Sequence, residues 1–145
     1  MRESTAERFE ARIDEVRELL RAHHVVLAYL FGSVARGEER EDSDLDVAVL
    51  LDDSVQPERL PEVRLRLTTE LVGLTHANDV DVVVLNEAPP LLAFNAISEG
   101  RCFLGDRRRQ VRFEVRAIQR FIDTQPLRDA LAKDLSRRID EGRIR

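Results

Sequence analysis

Apolar residues at Phe9, Ile13, Val16, Leu19 and Leu20 recur at helical spacing behind Ser4 and Thr5. That pattern predicts one helix, started at Ser4 and Thr5 and running to about Ala22. The unbroken apolar run VVLAYLF, Val25 to Phe31, predicts a buried strand, and VARGEE after it supports one or two helical turns. Apolar density returns from Asp46 to Leu51 as a second strand. DDSVQP is then a loop, with Pro57 placed where a helix begins. Leu60, Val63, Leu67 and Leu71 share one face of a helix from Glu58 to Leu74. A third strand, Val80 to Leu85, is ended by NEAPP. A short helix, roughly Leu91 to Ser98, stops at Gly100, and Arg101 to Leu104 reads as a short edge strand.

Two further helical patterns close the chain. Arg107 to Asp123 carries Phe113, Val115, Ile118, Phe121 and Ile122. Pro126 to Arg143 carries a narrower stripe, Leu127, Leu131, Leu135 and Ile139. A narrow stripe with polar flanks suits a docking face as well as an ordinary packing face. The order of helix, strand, strand, helix, strand and then helices predicts an α/β (α+β) domain: a small mixed sheet with flanking helices and a helical C-terminal tail. At 145 residues the chain is one domain. Its expected organisation is a core over 1–105 and a helical extension over 106–145, packed on the core or on a partner.

Composition narrows the function. Hydrophobic residues make up 43% of the chain, enough for a core, yet no apolar run approaches the ~20 residues of a membrane span. The acidic, amphipathic start MRESTAERFEARIDE is unlike a secretory leader, so a cytoplasmic soluble protein is expected. Cys102 is the only cysteine, which excludes an internal disulfide and a cysteine-based zinc site. His23, His24 and His76 form no metal pattern; the first two sit where a helix C-terminus favours histidine. With 23 basic against 28 acidic residues, the net charge of −5 argues against non-specific coating of nucleic acid. It leaves room for a nucleotide at a local site.

The chemistry concentrates in LFGSVARGEEREDSDLDVAVLLD, Leu30 to Asp52. Residues two apart in a strand point the same way, so Asp44 and Asp46 project together while Leu45 and Val47 face the core. Two carboxylates held that close must protonate, be solvated or bind a cation. DVD, Asp79 to Asp81, stands likewise before the apolar VVVL. Asp81 abuts that run and is favoured over Asp79. If the strands of Asp46 and Asp81 are neighbours, three carboxylates converge, a donor set suited to Mg²⁺ together with substrate phosphates. Two such ions would clamp an in-line phosphoryl transfer.

Gly32 lets backbone approach a phosphate, and Ser33 adds a hydroxyl. A helix beginning after them would turn free N–H groups to the same place. Arg36 could reach the outer phosphates of a nucleoside triphosphate, or pair with Glu38 or Glu39. Ser43 could orient the first carboxylate. Elsewhere, Tyr29 reads as a core residue with its hydroxyl near the rim, and Cys102 as a small hydrophobe. Arg107, Arg108 and Arg109 read as a solvated helix start; they oppose the N-terminal dipole, which an acidic partner surface or RNA would also explain.

Gly32-Ser33, ten residues, then Asp44-Leu45-Asp46 resembles the signature of the DNA polymerase beta-like nucleotidyltransferase superfamily. FGSVARG followed by SDLDVAV resembles its minimal nucleotidyltransferase (MNT) group, the antitoxin partners of HEPN-family toxins. The third acidic strand, NEAPPLL, Glu99-Gly100 and the helix near Phe113 extend the likeness along most of the chain. The resemblance implies the nucleotidyltransferase fold, metal-binding aspartates at Asp44 and Asp46, and a third carboxylate at Asp81 that helps deprotonate an attacking hydroxyl. It implies a triphosphate at Gly32 and Ser33, and transfer of AMP from ATP to a tyrosine hydroxyl of a cognate HEPN toxin, an RNase, with Mg²⁺. Two rival readings are a non-catalytic antitoxin that covers its toxin, and a nucleotidyltransferase acting on a small molecule.

Overall fold

The computed structural model of the chain describes residues 3–37 and 44–142. The readings that fall on Glu38, Glu39, Ser43 and Arg143 lie outside the described residues.

The first helical pattern folds as two helices rather than one, α1 (Thr5–Ala11) and α2 (Ile13–Ala22). Ser4 opens α1 with a capping box: its hydroxyl accepts from the Glu7 N–H at 3.1 Å, and its own N–H donates to Glu7 Oε2 at 2.9 Å. The break falls at Arg12, with φ −113° and ψ 13°. Phe9, Val16 and Leu20 are buried on both sides of it, so apolar spacing alone cannot reveal it. Phe9 meets Phe103 edge-on, with ring centroids 5.1 Å apart.

β1 (Val25–Phe31), α3 (Gly32–Arg36), β2 (Leu45–Leu51), α4 (Leu60–Thr75), β3 (Val80–Val84), α5 (Pro90–Glu99) and β4 (Arg101–Leu104) follow. A 3-10 turn at Pro57–Arg59 precedes α4, so the α-helix begins later than Glu58. The four strands form one mixed sheet in the order β3-β2-β1-β4. β1 is antiparallel to β2 and β4; β2 is parallel to β3, with α4 in the crossover between them.

Strand alternation divides the core in two. Leu45, Val47 and Val49 face the side covered by α1, α2 and α4, with Phe9, Val16, Leu67 and Leu71. Leu27, Tyr29, Ala48 and Leu85 face α5, through Ala93 and Ala96. This second layer is smaller, and Asp46 shares its side of the sheet. Tyr29 is buried there, and its hydroxyl donates to Glu114 Oε1 at 2.9 Å. Burial and the Glu114 carboxylate hold the phenol well above its ordinary range.

The last two predicted helices are one. α6 runs from Arg107 to Asp140, 34 residues, capped by Asp106, whose Oδ1 accepts from the Arg109 N–H. Pro126 lies inside it. An interior proline removes one helical donor and costs about 3 kcal/mol or more. Around it the Arg128 guanidinium donates to the Phe121 carbonyl at 2.8 Å and lies over the Phe121 ring, 3.9 Å from the centroid, tying the turns on either side of the proline together. Phe121 in turn stacks on Phe94 of α5. Sequence periodicity registers the proline but not this tie. Arg128→Ala should fray the helix beyond Phe121, at a cost of about 1 kcal/mol. Reduced ellipticity at 222 nm and faster amide exchange over 127–140 would report it; unchanged exchange there would contradict it.

Beyond Ala117 no described residue of α6 is buried, and Leu127, Leu131, Leu135 and Ile139 are about half exposed or more. Among the described residues no helix is long and apolar enough to cross a membrane.

Candidate active site

Because β2 runs against β1 and alongside β3, the end of β1 meets the starts of β2 and β3 at one edge of the sheet. The register aligns Phe31 with Asp46, and Asp46 with Asp81. Aligned residues project on the same face. Asp44 and Asp79 each precede an aspartate of this row by two positions and share its side. The structure therefore brings Asp44, Asp46 and Asp81 to one place, with Asp79 nearby.

Their proximity registers in Asp46. Its carboxyl is pushed up to about 6, first by burial, then by the charges of Asp81 and Asp44, with Arg36 opposing and Asp79 adding least. Asp44 and Asp81 are exposed, while Asp46 is half-buried between them. Asp79 differs from Asp81 in its ties. Its carboxylate accepts the Val80 N–H at 2.9 Å, and its carbonyl accepts the Leu45 N–H at 3.0 Å. Among the described residues no hydrogen bond engages the Asp81 carboxylate.

Gly32 sits where only glycine fits. Its φ is +75°, and a Cβ there would overlap Asp46 Oδ2 and lie 2.9 Å from Asp46 Cγ. The close approach that the sequence suggests for a phosphate is made here against Asp46. α3 starts at Gly32, earlier than VARGEE implies, so Ser33 lies in its first turn; Gly37 closes it at φ +71°. Arg36 Nη1 lies 3.4 Å from Glu99 Oε2, both side chains about half exposed. Its described partner therefore comes from the end of α5, a pairing that local spacing does not disclose. Ser43 lies outside the described residues.

Among the described residues no three His, Cys, Asp or Glu side chains form a set able to hold an ion unaided. The mutual repulsion around Asp46 is what a cation would relieve.

Beside Asp81 opens a cleft of 370 Å³, lined by Phe31, Arg64, Glu87, Pro89 and Leu92 among others. Sequence reading missed these residues, since they come from separate elements; the Pro89-Pro90 helix start is their one local signal. A larger cavity, 530 Å³, lies by His23, His24 and Gln56, beyond the opposite end of β2 and away from the carboxylates.

Comparison with known proteins identifies the family. The protein adenylyltransferase MntA of Shewanella oneidensis is 30% identical over 109 residues, 75% of each chain. A solved toxin–antitoxin structure with AMP-PNP superposes with a TM-score of 0.74 at 29% identity, covering 88% of this chain and 98% of that one. A tri-AMPylated HEPN toxin of Shewanella oneidensis in complex with its MNT antitoxin gives 0.71 at 26% identity, over 88% and 98% of the two chains. Residues 14–109, the span that holds Gly32, Asp44, Asp46 and Asp81, match the family "Polymerase beta, Nucleotidyltransferase", and to that family this chain belongs.

Proposed function

We propose that this chain is an antitoxin that transfers AMP from ATP to a tyrosine hydroxyl of its cognate HEPN toxin and so neutralises it. The observation that carries the reading is the row of Asp44, Asp46 and Asp81 beside the Gly32-Ser33 turn. In this reading Asp44, Asp46 and Asp81 would hold magnesium, two ions with ATP bound, which would supply positive charge where negative charge develops at the phosphoryl group. Gly32 and Ser33 cradle the triphosphate, Arg36 turns from Glu99 to its outer phosphates, and Ser43 orients Asp44. The tyrosine oxygen attacks the α-phosphorus, and its proton passes to Asp81. The bond from the α-phosphorus to the bridging oxygen breaks, and pyrophosphate leaves with the electron pair. An ATP substrate and an RNase toxin support a cytoplasmic location.

Incubating the chain with its toxin, Mg²⁺ and α-labelled ATP should label the toxin. Asp44→Asn or excess chelator should each abolish the label. A toxin that stays unlabelled by the wild-type chain would sink the reading.

The exposed stripe of Leu127, Leu131, Leu135 and Ile139 favours a second contribution, steric cover of the toxin by the extension over 106–145. Neutralisation that survives Asp44→Asn combined with Asp46→Asn would assign the protection to contact rather than to chemistry.

A further inference from the structure

The cleft beside Asp81 has one wall made of backbone. β3 ends the strand order, so its outer edge has no strand beside it among the described residues. The bonds at the two ends of its ladder, Leu45 N–H to the Asp79 carbonyl at 3.0 Å and Leu85 N–H to the Val49 carbonyl at 2.8 Å, use odd-numbered residues of this segment. Successive amides of a strand alternate in direction, so Val82 presents its N–H and carbonyl outward, and Val84 its N–H. The Val84 carbonyl is taken by the Glu87 N–H at 3.3 Å. Among the described residues no group pairs with the outward amide of Val82. Arg64 of α4 borders this edge on one side, and Pro89, just before α5, and Leu92 of α5 on the other. The result is a slot with a hydrogen-bonding edge, one cationic and one apolar flank, and Asp81 at one end.

We propose that this slot receives the acceptor: an extended segment of the toxin adds to the edge of β3 and delivers its tyrosine to Asp81. The inference rests on the adenylyltransferase reading above. An in-line transfer needs the attacking oxygen on the side of the α-phosphorus opposite the leaving pyrophosphate. The Gly32-Ser33 turn lies at the end of β1, on one flank of Asp46, and Asp81 lies on the other. With the triphosphate at the turn, the open approach for an acceptor is along β3, and the slot is continuous with Asp81. Backbone pairing gives such a segment affinity, while the Leu92 and Phe31 side chains select what it carries. An unpaired edge strand is otherwise a liability that proteins cover or charge.

The test uses the intact chain, its cognate HEPN toxin and Mg²⁺, with a non-hydrolysable ATP analogue for amide exchange followed by NMR and α-labelled ATP for transfer. The toxin should slow exchange at Val82 and Val84 by about tenfold or more. Val82→Pro removes the outward donor while leaving the β2 ladder intact. It and Leu92→Arg should each raise the KM for toxin by about tenfold or more, with ATP affinity kept. If Val82→Pro fails to fold, Leu92→Arg and the exchange data decide. Toxin that binds and is labelled while Val82 exchanges as in the free chain would overturn the slot, as would an unchanged toxin KM in Leu92→Arg. Protection that grows with protein concentration and without toxin would overturn it too, giving the edge to a second copy. Protection by toxin without any AMP transfer would uphold the slot and overturn the enzymatic reading.

Discussion

Asp46→Asn should cost on the order of 10³-fold in AMP transfer while making the free protein more stable at neutral pH. The two effects share one cause. Native Asp46 titrates at about 6 against an ordinary 3.8, because burial and the charges of Asp81 and Asp44 disfavour its ionised form. Between those pH values the native state therefore binds more protons than the unfolded chain. Stability falls as pH rises from about 4 to about 6 and is then level with respect to this group. Asparagine keeps the shape and removes the charge. Wild type and variant should have similar Tm below pH 4, and the variant should gain about 1–2 kcal/mol above pH 6, after allowance for solvent screening at this half-open site. Magnesium should raise the Tm of the wild type at pH 7.5 and leave the variant unmoved. Thermal melts across pH 4–8, with and without Mg²⁺, read all of this. A wild-type Tm indifferent to magnesium, or a variant less stable than wild type at pH 7.5, would contradict the electrostatic account.

Gly32→Ala is the second large expected effect, and Gly37→Ala is its control. Both glycines lie at positive φ, +75° and +71°, where a Cβ costs about 1–2 kcal/mol. They differ in what the new methyl meets. At Gly37 nothing among the described residues lies within 4 Å; at Gly32 it overlaps the Asp46 carboxylate. Gly37→Ala should lose only the conformational term and keep its rate of transfer within a few fold. Gly32→Ala must also displace Asp46 or the turn, and displacements of about 1 Å at a reacting centre cost roughly 10²-fold. Its ATP affinity and transfer rate should fall together, with a Tm drop larger than that of Gly37→Ala. Equal losses in the two variants would mean that strain, not contact with Asp46, is what Gly32 avoids.

Local pattern was enough wherever the cause was local. β1 and β4 occupy Val25–Phe31 and Arg101–Leu104, the spans their apolar runs suggest, because each is a short run bounded by polar residues or glycine. The failures have specific causes. The break at Arg12 leaves the apolar period intact on either side. α6 continues through Pro126, where Arg128 reaches back to the Phe121 carbonyl and Phe121 stacks against another helix. A proline in sequence is a stop signal; only its surroundings tell whether the stop is overridden.

The site divides in the same way. The pairing of Asp44 with Asp46 on one face follows from the two-residue period of a strand and is legible in the residue order alone. The family resemblance is legible there too, through Gly32-Ser33 and the spacing to Asp44. It took the folded chain to show that Asp46 stands level with Asp81, that Gly32 touches the Asp46 carboxylate, that Arg36 pairs with Glu99, and that β3 has no strand beyond it among the described residues. Each joins segments far apart in the chain, and their register is set by the packing of two unequal layers on one sheet, which no local period encodes.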